Sequence, residues 1–319
     1  MTLGASVHPV LSLLLARAAE GSRPDSRKDP HRLGLVIEGG GMRGVVSAGM
    51  TAALEGLGLL PCFDVVYGAS AGAMNGAYFV AGQAAYGMSI YYEDLNDRRF
   101  MNLARYFTRR PMLSLDYLLE EIVKREKLLD WERILRSEVP LKVVAFSLTG
   151  LRTVVLGPYR DRAHLFQSLR ASATVPLVAG PPVSLDGDLL VDALLSEPVP
   201  FKSALSEGCT HVLCLLTRPR GDRPDRSTLY DRWVQGPRLR RRYPHLADLY
   251  LQRPAEYAAE IEAVWRGTDH PAGAPLMCAV APAPAPTTLD RLENRRDRLF
   301  VAANGGFRAM TAAVRGCPA

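Results

Sequence analysis

Two glycine-rich turns, each lying between an apolar run and a helix-like stretch, constrain this chain more than any other feature. The first, Glu38-Gly39-Gly40-Gly41-Met42-Arg43-Gly44, follows Leu33-Gly-Leu-Val-Ile37. The second, Gly68-Ala69-Ser70-Ala71-Gly72, follows Phe63-Asp-Val-Val-Tyr67. Short apolar runs bounded by turn residues read as buried strands. Val45 to Gly58, ending in glycine, and the small-residue stretch after Ser70 read as helices. Two successive strand–turn–helix units require a parallel sheet with helices packed on it.

The remaining pattern extends that sheet. Leu141 to Phe146 and Arg152 to Leu156 predict strands joined as a hairpin around Thr149-Gly150. Leu189-Leu-Val-Asp192 ends a further strand, and Thr210 to Leu216 reads as another buried one. Helical spacing covers 116–135 and 162–173, and Pro198 to Glu207 suggests a loop and a short helix. Beyond Pro219 the pattern turns helical and arginine-rich. A Pro/Ala-rich bridge at 281–286 precedes a charged helix from about Thr288. The expected division is a peripheral N-terminal segment over 1–31, an α/β catalytic domain over 32–220, and a helical extension over 221–319 packed on it.

The composition narrows the class of protein. With 319 residues, 48% of them hydrophobic and 23% charged, the chain can bury a large core. The net charge of +6 is uneven: residues 218–242 hold nine arginines against three aspartates. The plain reading of such a run is a solvated face; the functional reading is contact with an anionic membrane. No basic module interleaved with aromatics accompanies it, so nucleic acid is not expected. The five cysteines are scattered without a Cys-x-x-Cys pair, so neither zinc nor a disulfide framework is expected, and a reducing, cytoplasmic setting is. The apolar run Val10 to Ala16 has no basic residue before it, unlike a secretory signal, and no run approaches the roughly twenty apolar residues of a membrane span.

The second turn has a mechanical logic. A nucleophile on a sharp strand-to-helix turn needs tiny neighbours two residues away on either side, here Gly68 and Gly72. Ser70 then projects at the sheet edge, near the positive end of a helix. Chance alone gives Gly-x-Ser-x-Gly in roughly one chain in ten of this length, so its place after a strand matters. In acyl transfer the first turn gains a task, because consecutive glycine amides can point at a developing oxyanion. Gly39, Gly40, Gly41 and Met42 are the candidate donors. Arg43 is read either as a brace for the loop or as an attractor of an anionic head group, and Gly44 closes the turn.

The first turn also matches the dinucleotide pattern G-x-G-x-x-G. That reading wants an acid at the end of the second strand to hold a ribose. Here Asp64 opens that strand, and the serine turn stands where the ribose ligand belongs. A serine needs a base. Among His8, His31, His164, His211, His245 and His270, none sits in a catalytic sequence context.

The Gly-Gly-Gly-Met-Arg-Gly and Gly-Ala-Ser-Ala-Gly turns, together with an aspartate after a short apolar strand, resemble patatin-like phospholipases. So do Arg170-Ala-Ser-Ala-Thr-Val-Pro176 and the strand Val212 to Leu216 leading into Thr217-Arg-Pro219. The resemblance covers roughly 32–220, and the tail is similar to the C-terminal extension of bacterial members. It implies a three-layer α/β/α sandwich of patatin type, with a mostly parallel central sheet and a helical C-terminal extension. It also implies a Ser–Asp dyad: Ser70 as nucleophile, Asp192 as base, and Gly39 to Met42 as oxyanion hole. No metal or organic cofactor is implied; the implied substrate is a lipid or other acyl ester. The family usually has Gly, then Gly or Ala, after its aspartate, where this chain has Ala193-Leu194; Glu38 likewise replaces an Asp. Asp186 and Asp188, in the turn Leu185-Asp-Gly-Asp-Leu189, rank below Asp192 because Asp-Gly suits a hairpin. An acyltransferase using the same serine and a catalytically impaired lipid-binding protein are the rival readings.

Overall fold

The computed structural model describes residues 7–102, 104–105, 110–222, 236–271, 273, 275–284 and 289–316. Its centre is an eight-stranded sheet: β1 (Leu33–Ile37), β2 (Val65–Ala69), β3 (Leu141–Ser147), β4 (Arg152–Leu156), β5 (Val183–Leu185), β6 (Asp188–Asp192), β7 (His211–Leu215) and β8 (Leu276–Val280). The order is β5-β6-β3-β2-β1-β7-β8, with β4 paired to β3. Pairing is parallel from β3 through β2, β1 and β7 to β8, and antiparallel where β3 meets β4 and β6.

Strands β1 and β7 are buried at all five positions, which is why they read as unbroken apolar runs rather than alternating ones. One face packs Leu33, Leu35 and Ile37 against α1 (Pro9–Ala19), α2 (Val45–Gly56), α3 (Ala71–Val80) and α4 (Ala84–Glu93). The helices α5 (Trp131–Leu135) and α6 (Arg162–Ala173) join the same core. The opposite face packs Val36, Tyr67 and Cys214 against α7 (Phe201–Ser206) and the long α9 (Pro244–Asp269). Helices thus cover both faces, giving the expected three layers. The C-terminal segment also supplies α8 (Gly236–Arg242) and α10 (Arg296–Arg315), the latter joining the first core.

The hairpin expected around Thr149-Gly150 forms as β3–β4. The stretch 116–135 divides into a helical segment, Tyr117–Glu126, and α5. Beyond residue 220 the chain is mainly helical but also supplies β8, which pairs parallel with β7 along its whole length. Leu-Met-Cys-Ala-Val is short and has a single β-branched residue, so the sequence carries little strand signal there. The last helix begins at Arg296; its expected start near Thr288 lies outside the described residues. At the N-terminus, buried Arg17 ties α1 to the sheet through Asp29 and Asp64, at 2.7 and 2.8 Å. Among the described residues no helix is long and apolar enough to cross a membrane.

Helix α10 lies on α2 with backbones in contact. A Cβ added at Gly306 would stand 2.0 Å from the Val46 carbonyl, and one at Gly49 2.0 Å from that of Ala303. Gly306→Ala is therefore expected to cost about 1–3 kcal/mol of stability, the range for overpacking a close contact. Gly305, one residue away, would carry a Cβ with nothing within 4 Å of it. Gly305→Ala should stabilise the protein by up to about 1 kcal/mol through helix propensity. Urea unfolding midpoints of the two variants check both signs.

Candidate active site

Ser70 stands between β2 and α3 with φ 54° and ψ −125°, a backbone conformation that costs an ordinary residue about 1–3 kcal/mol. The glycines around it are sterically required. A Cβ at Gly72 would meet the Ile37 carbonyl at 2.2 Å, and one at Gly68 the Gly72 carbonyl at 2.5 Å. A specific clamp holds the strained residue. The Ser70 amide donates to Ser172 Oγ at 2.8 Å, and the Ser172 hydroxyl donates to the Val144 carbonyl at 2.6 Å. The Ser70 amide is thereby engaged by α6 and anchored to β3.

The register of β3 brings Asp192 to this serine. One edge of β3 carries β4 from Val143 to Ser147. The other edge pairs with β2 as far as Val144, opposite Ala69, and then with β6 from Ala145, opposite Asp192. Strand β2 ends and β6 arrives head-on along the same edge, so the residue after Ala69 meets the last residue of β6. The Asp192 carboxyl faces the Ser70 hydroxyl, which favours its ionised form, and Oδ1 accepts a hydrogen bond from the Leu194 amide at 2.8 Å. Burial pushes the carboxyl up to about 6; the bonds from Ser70 and Leu194 and the positive charge of Arg291 oppose that shift. Ala193 and Leu194 form a 3-10 turn without positive φ, so nothing at these positions calls for the glycines usual in the family.

The glycine loop lies directly against the serine: a Cβ at Gly39 would be 2.8 Å from the Ala69 carbonyl and 3.0 Å from Ser70 Cβ. Its amides divide into two groups. Gly39 donates to the Pro198 carbonyl at 3.1 Å and Met42 to that of Arg291 at 3.0 Å. Gly40 and Gly41, which line the cavity, donate to no carbonyl among the described residues. Of the four candidate donors, two are thus spent on positioning the loop. Below it, Glu38 accepts from the Tyr257 hydroxyl at 2.7 Å and from the Thr217 amide, and Arg43 Nε donates to Thr217 Oγ1 at 3.0 Å. Arg43 is 1% exposed and does not line the cavity, so it braces the loop from beneath. Burial pulls its guanidinium down to about 10 against the attraction of Glu38. Gly44 packs on the second turn, its carbonyl accepting from Asn75 Nδ2 at 2.8 Å, while Tyr91 donates to Asn75 Oδ1 at 2.9 Å.

Ser70, Asp192, Gly40 and Gly41 open onto a cavity of about 670 Å³. Away from Ser70 and Asp192 its walls are largely apolar, with Ile90, Leu95, Phe100, Leu113, Leu118 and Val178. Tyr250, Arg253, Asp290 and Arg291, from the C-terminal segment, line it as well. No histidine lines it among the described residues. His211 stacks on His31, and His164 faces Asp186 at 3.0 Å. Asp186 turns the β5–β6 hairpin, 2.7 Å from Arg160. Asp64 holds Arg17 and Arg27 and accepts from the Leu33 amide. Of the arginine run, Arg218 is buried against Asp222, Arg220 pairs with Asp269 and Arg240 with Asp248; Arg223, Arg226 and Arg232 lie outside the described residues. Among the described residues no group of three His, Cys, Asp or Glu side chains is arranged to hold a metal.

Sequence reasoning assigned no role to Ser172, Asn75 or Arg291. Ser172 lies inside Arg170-Ala-Ser-Ala, a stretch already conspicuous in the sequence, but its partner is a main-chain amide 102 positions away.

The sequence model of the family described as patatin-like phospholipase matches residues 35–205. A protein of Escherichia coli (strain K12), described as the uncharacterized protein YjjU, is 28% identical over 203 residues, 60% of this chain and 53% of that protein. The matched chain thus spans about half the length of that relative. Among solved structures, VipD from Legionella pneumophila aligns over 90% of this chain and 67% of its own, with 13% identity and a TM-score of 0.42. Human GIVD cytosolic phospholipase A2, in complex with a methyl γ-linolenyl fluorophosphonate inhibitor, aligns over 96% and 64%, with 14% identity and a TM-score of 0.38.

The buried carboxyl predicts a pH-dependent trade of stability. Its folded pKa of about 6 lies above the ordinary 3.8. Above pH 6 the carboxyl is ionised in both states and its burial opposes folding; this cost fades as the pH falls through 6 and is gone below about 4. Asp192→Asn should therefore raise the unfolding free energy by roughly 3 kcal/mol at pH 8, about two pKa units at 1.36 kcal/mol each, with no gain at pH 3.5. Denaturant unfolding at the two pH values measures the difference.

Proposed function

This chain belongs to the patatin-like phospholipase family, and on that premise we propose that it is a serine hydrolase that cleaves fatty acyl esters of lipids through a Ser70–Asp192 dyad. One observation carries the reading: a hydroxyl facing a buried carboxylate stands beside two unengaged glycine amides in a largely apolar cavity. An acyl chain fits the apolar walls, and its ester carbonyl would then lie between Ser70 and the amides of Gly40 and Gly41.

In this mechanism Ser70 Oγ attacks the carbonyl carbon while its proton passes to the Asp192 carboxylate. A carboxyl with a pKa near 6 is a stronger base than a free aspartate and is still mostly ionised at neutral pH. The tetrahedral oxyanion accepts hydrogen bonds from Gly40 and Gly41, and the N-terminus of α3 adds a favourable dipole. Collapse transfers the proton from Asp192 to the departing alcohol and leaves an acyl-enzyme on Ser70. Water, deprotonated by Asp192, attacks the acyl carbonyl; collapse releases the fatty acid and returns the proton to Ser70. The catalytic part is assigned to 32–220, with 1–31 as a peripheral segment and 221–319 as an extension that contributes to the cavity wall. The exposed arginines of α8, Arg238 to Arg242, are assigned to contact with an anionic lipid surface.

A fluorophosphonate probe should label wild type at Ser70 and leave Ser70→Ala unlabelled though folded. Labelling of other serines but not Ser70 would sink the reading. Asp192→Asn should lower kcat by several orders of magnitude on a lipid ester panel, and near-normal turnover would reopen the search for a base. In wild type, kcat/KM should fall as the pH drops below about 6, because protonated Asp192 cannot accept the Ser70 proton.

A further inference from the structure

The cavity carries a cation that the dyad chemistry does not use. Arg291 lies in the segment leading into α10, well beyond the family-matched residues 35–205. Its backbone is part of the oxyanion loop's support: the Arg291 carbonyl accepts from the Met42 amide at 3.0 Å, and a Cβ at Gly41 would come 2.8 Å from the same oxygen. Arg291 lines the cavity together with Ser70 and Asp192. Its charge reaches both Asp192 and Arg43. Among the described residues its Nε, screened from solvent, has no hydrogen-bond partner. A half-buried guanidinium of this kind is costly unless something anionic meets it.

Of the neighbouring charges, Asp192 faces the Ser70 hydroxyl, and the others do not serve that purpose. Arg43 is turned to Thr217 and does not line the cavity. Arg253 lines it, but its Nη1 donates to the Tyr250 carbonyl at 3.0 Å and its guanidinium stacks 3.5 Å over the Tyr250 ring. Asp290 is exposed and accepts from the Leu292 amide at 2.7 Å.

A neutral acylglycerol brings no anion to such a site. A glycerophospholipid does, because its phosphodiester sits on the glycerol carbon next to the one bearing the central ester. The planar fork of a guanidinium matches two phosphate oxygens. We propose that Arg291 binds the phosphodiester of a glycerophospholipid while the acyl chain fills the apolar cavity and the ester carbonyl meets Ser70. Selection of phospholipids over neutral acylglycerols follows from this contact, which rests on the hydrolase reading above.

The test compares phosphatidylcholine and diacylglycerol with identical acyl chains, each dispersed in the same nonionic mixed micelles. Phosphatidylcholine has no net charge, so surface attraction does not enter the comparison. The readout is the ratio of the two kcat/KM values in wild type, Arg291→Gln and Arg291→Lys. Arg291→Gln should lower the phospholipid-to-diacylglycerol ratio by about tenfold to a hundredfold, the size of a charge-assisted contact, chiefly through KM for phosphatidylcholine. Arg291→Lys, which keeps the charge without the fork, should fall between the two. A ratio within twofold of wild type in Arg291→Gln overturns the proposal, also where both activities fall together, since Arg291 would then serve only to hold the loop. If Arg291→Gln fails to fold, Arg291→Lys decides by the same criterion. A wild-type enzyme that labels at Ser70 and turns over esters with an unmoved ratio sinks this proposal alone. Wild type that neither labels nor hydrolyses any ester sinks the hydrolase reading and this one with it.

Discussion

A strand edge can hydrogen-bond one neighbour at each position, and β3 gives the same edge to β2 as far as Val144 and to β6 from Ala145. The site depends on that exchange. Because β2 must leave the sheet at Ala69, the chain turns sharply at Ser70; because β6 must stop where β2 stops, Asp192 ends beside it. Ser172 reinforces the junction by accepting from the Ser70 amide and donating to Val144, the last β3 residue that β2 pairs. A strained serine and a buried carboxylate, each unfavourable alone, are thus fixed by ordinary sheet hydrogen bonds on either side. The cost of the strained turn is spread over a rigid core, as expected where geometry serves chemistry.

The charges under the site follow a related logic. Glu38 and Arg43 are almost wholly buried, and both are bound through Thr217, with Tyr257 on the far side of Glu38. Buried charges persist when hydrogen bonds replace water. Compensation is incomplete at both Arg43 and Asp192, and the remainder appears as the lowered pKa of the one and the raised pKa of the other. That deficit leaves the carboxyl more basic than a solvated aspartate, at a cost in stability. The C-terminal segment takes part in the same arrangement, since β8 extends the sheet and the Arg291 carbonyl holds Met42.

The sequence by itself determined the elements whose cause is local. The two strand–turn–helix units, the β3–β4 hairpin and the α/β layering are written in runs and turns a few residues long. The small residues around Ser70 are legible because a sharp turn excludes side chains within its own span. The resemblance to patatin-like phospholipases rested on those same short segments, and the family match over 35–205 agrees with it. Tertiary structure decided what depends on partners distant in the chain. Whether Gly39 and Met42 or Gly40 and Gly41 keep their amides unengaged depends on carbonyls of Pro198 and Arg291. The burial of Arg43, the clamp by Ser172, the strand β8 and the cationic wall at Arg291 likewise arise only when segments distant in the chain are packed together. Periodicity and turn chemistry report the backbone's own preferences; hydrogen-bond allocation and pKa are properties of an environment that no local stretch contains.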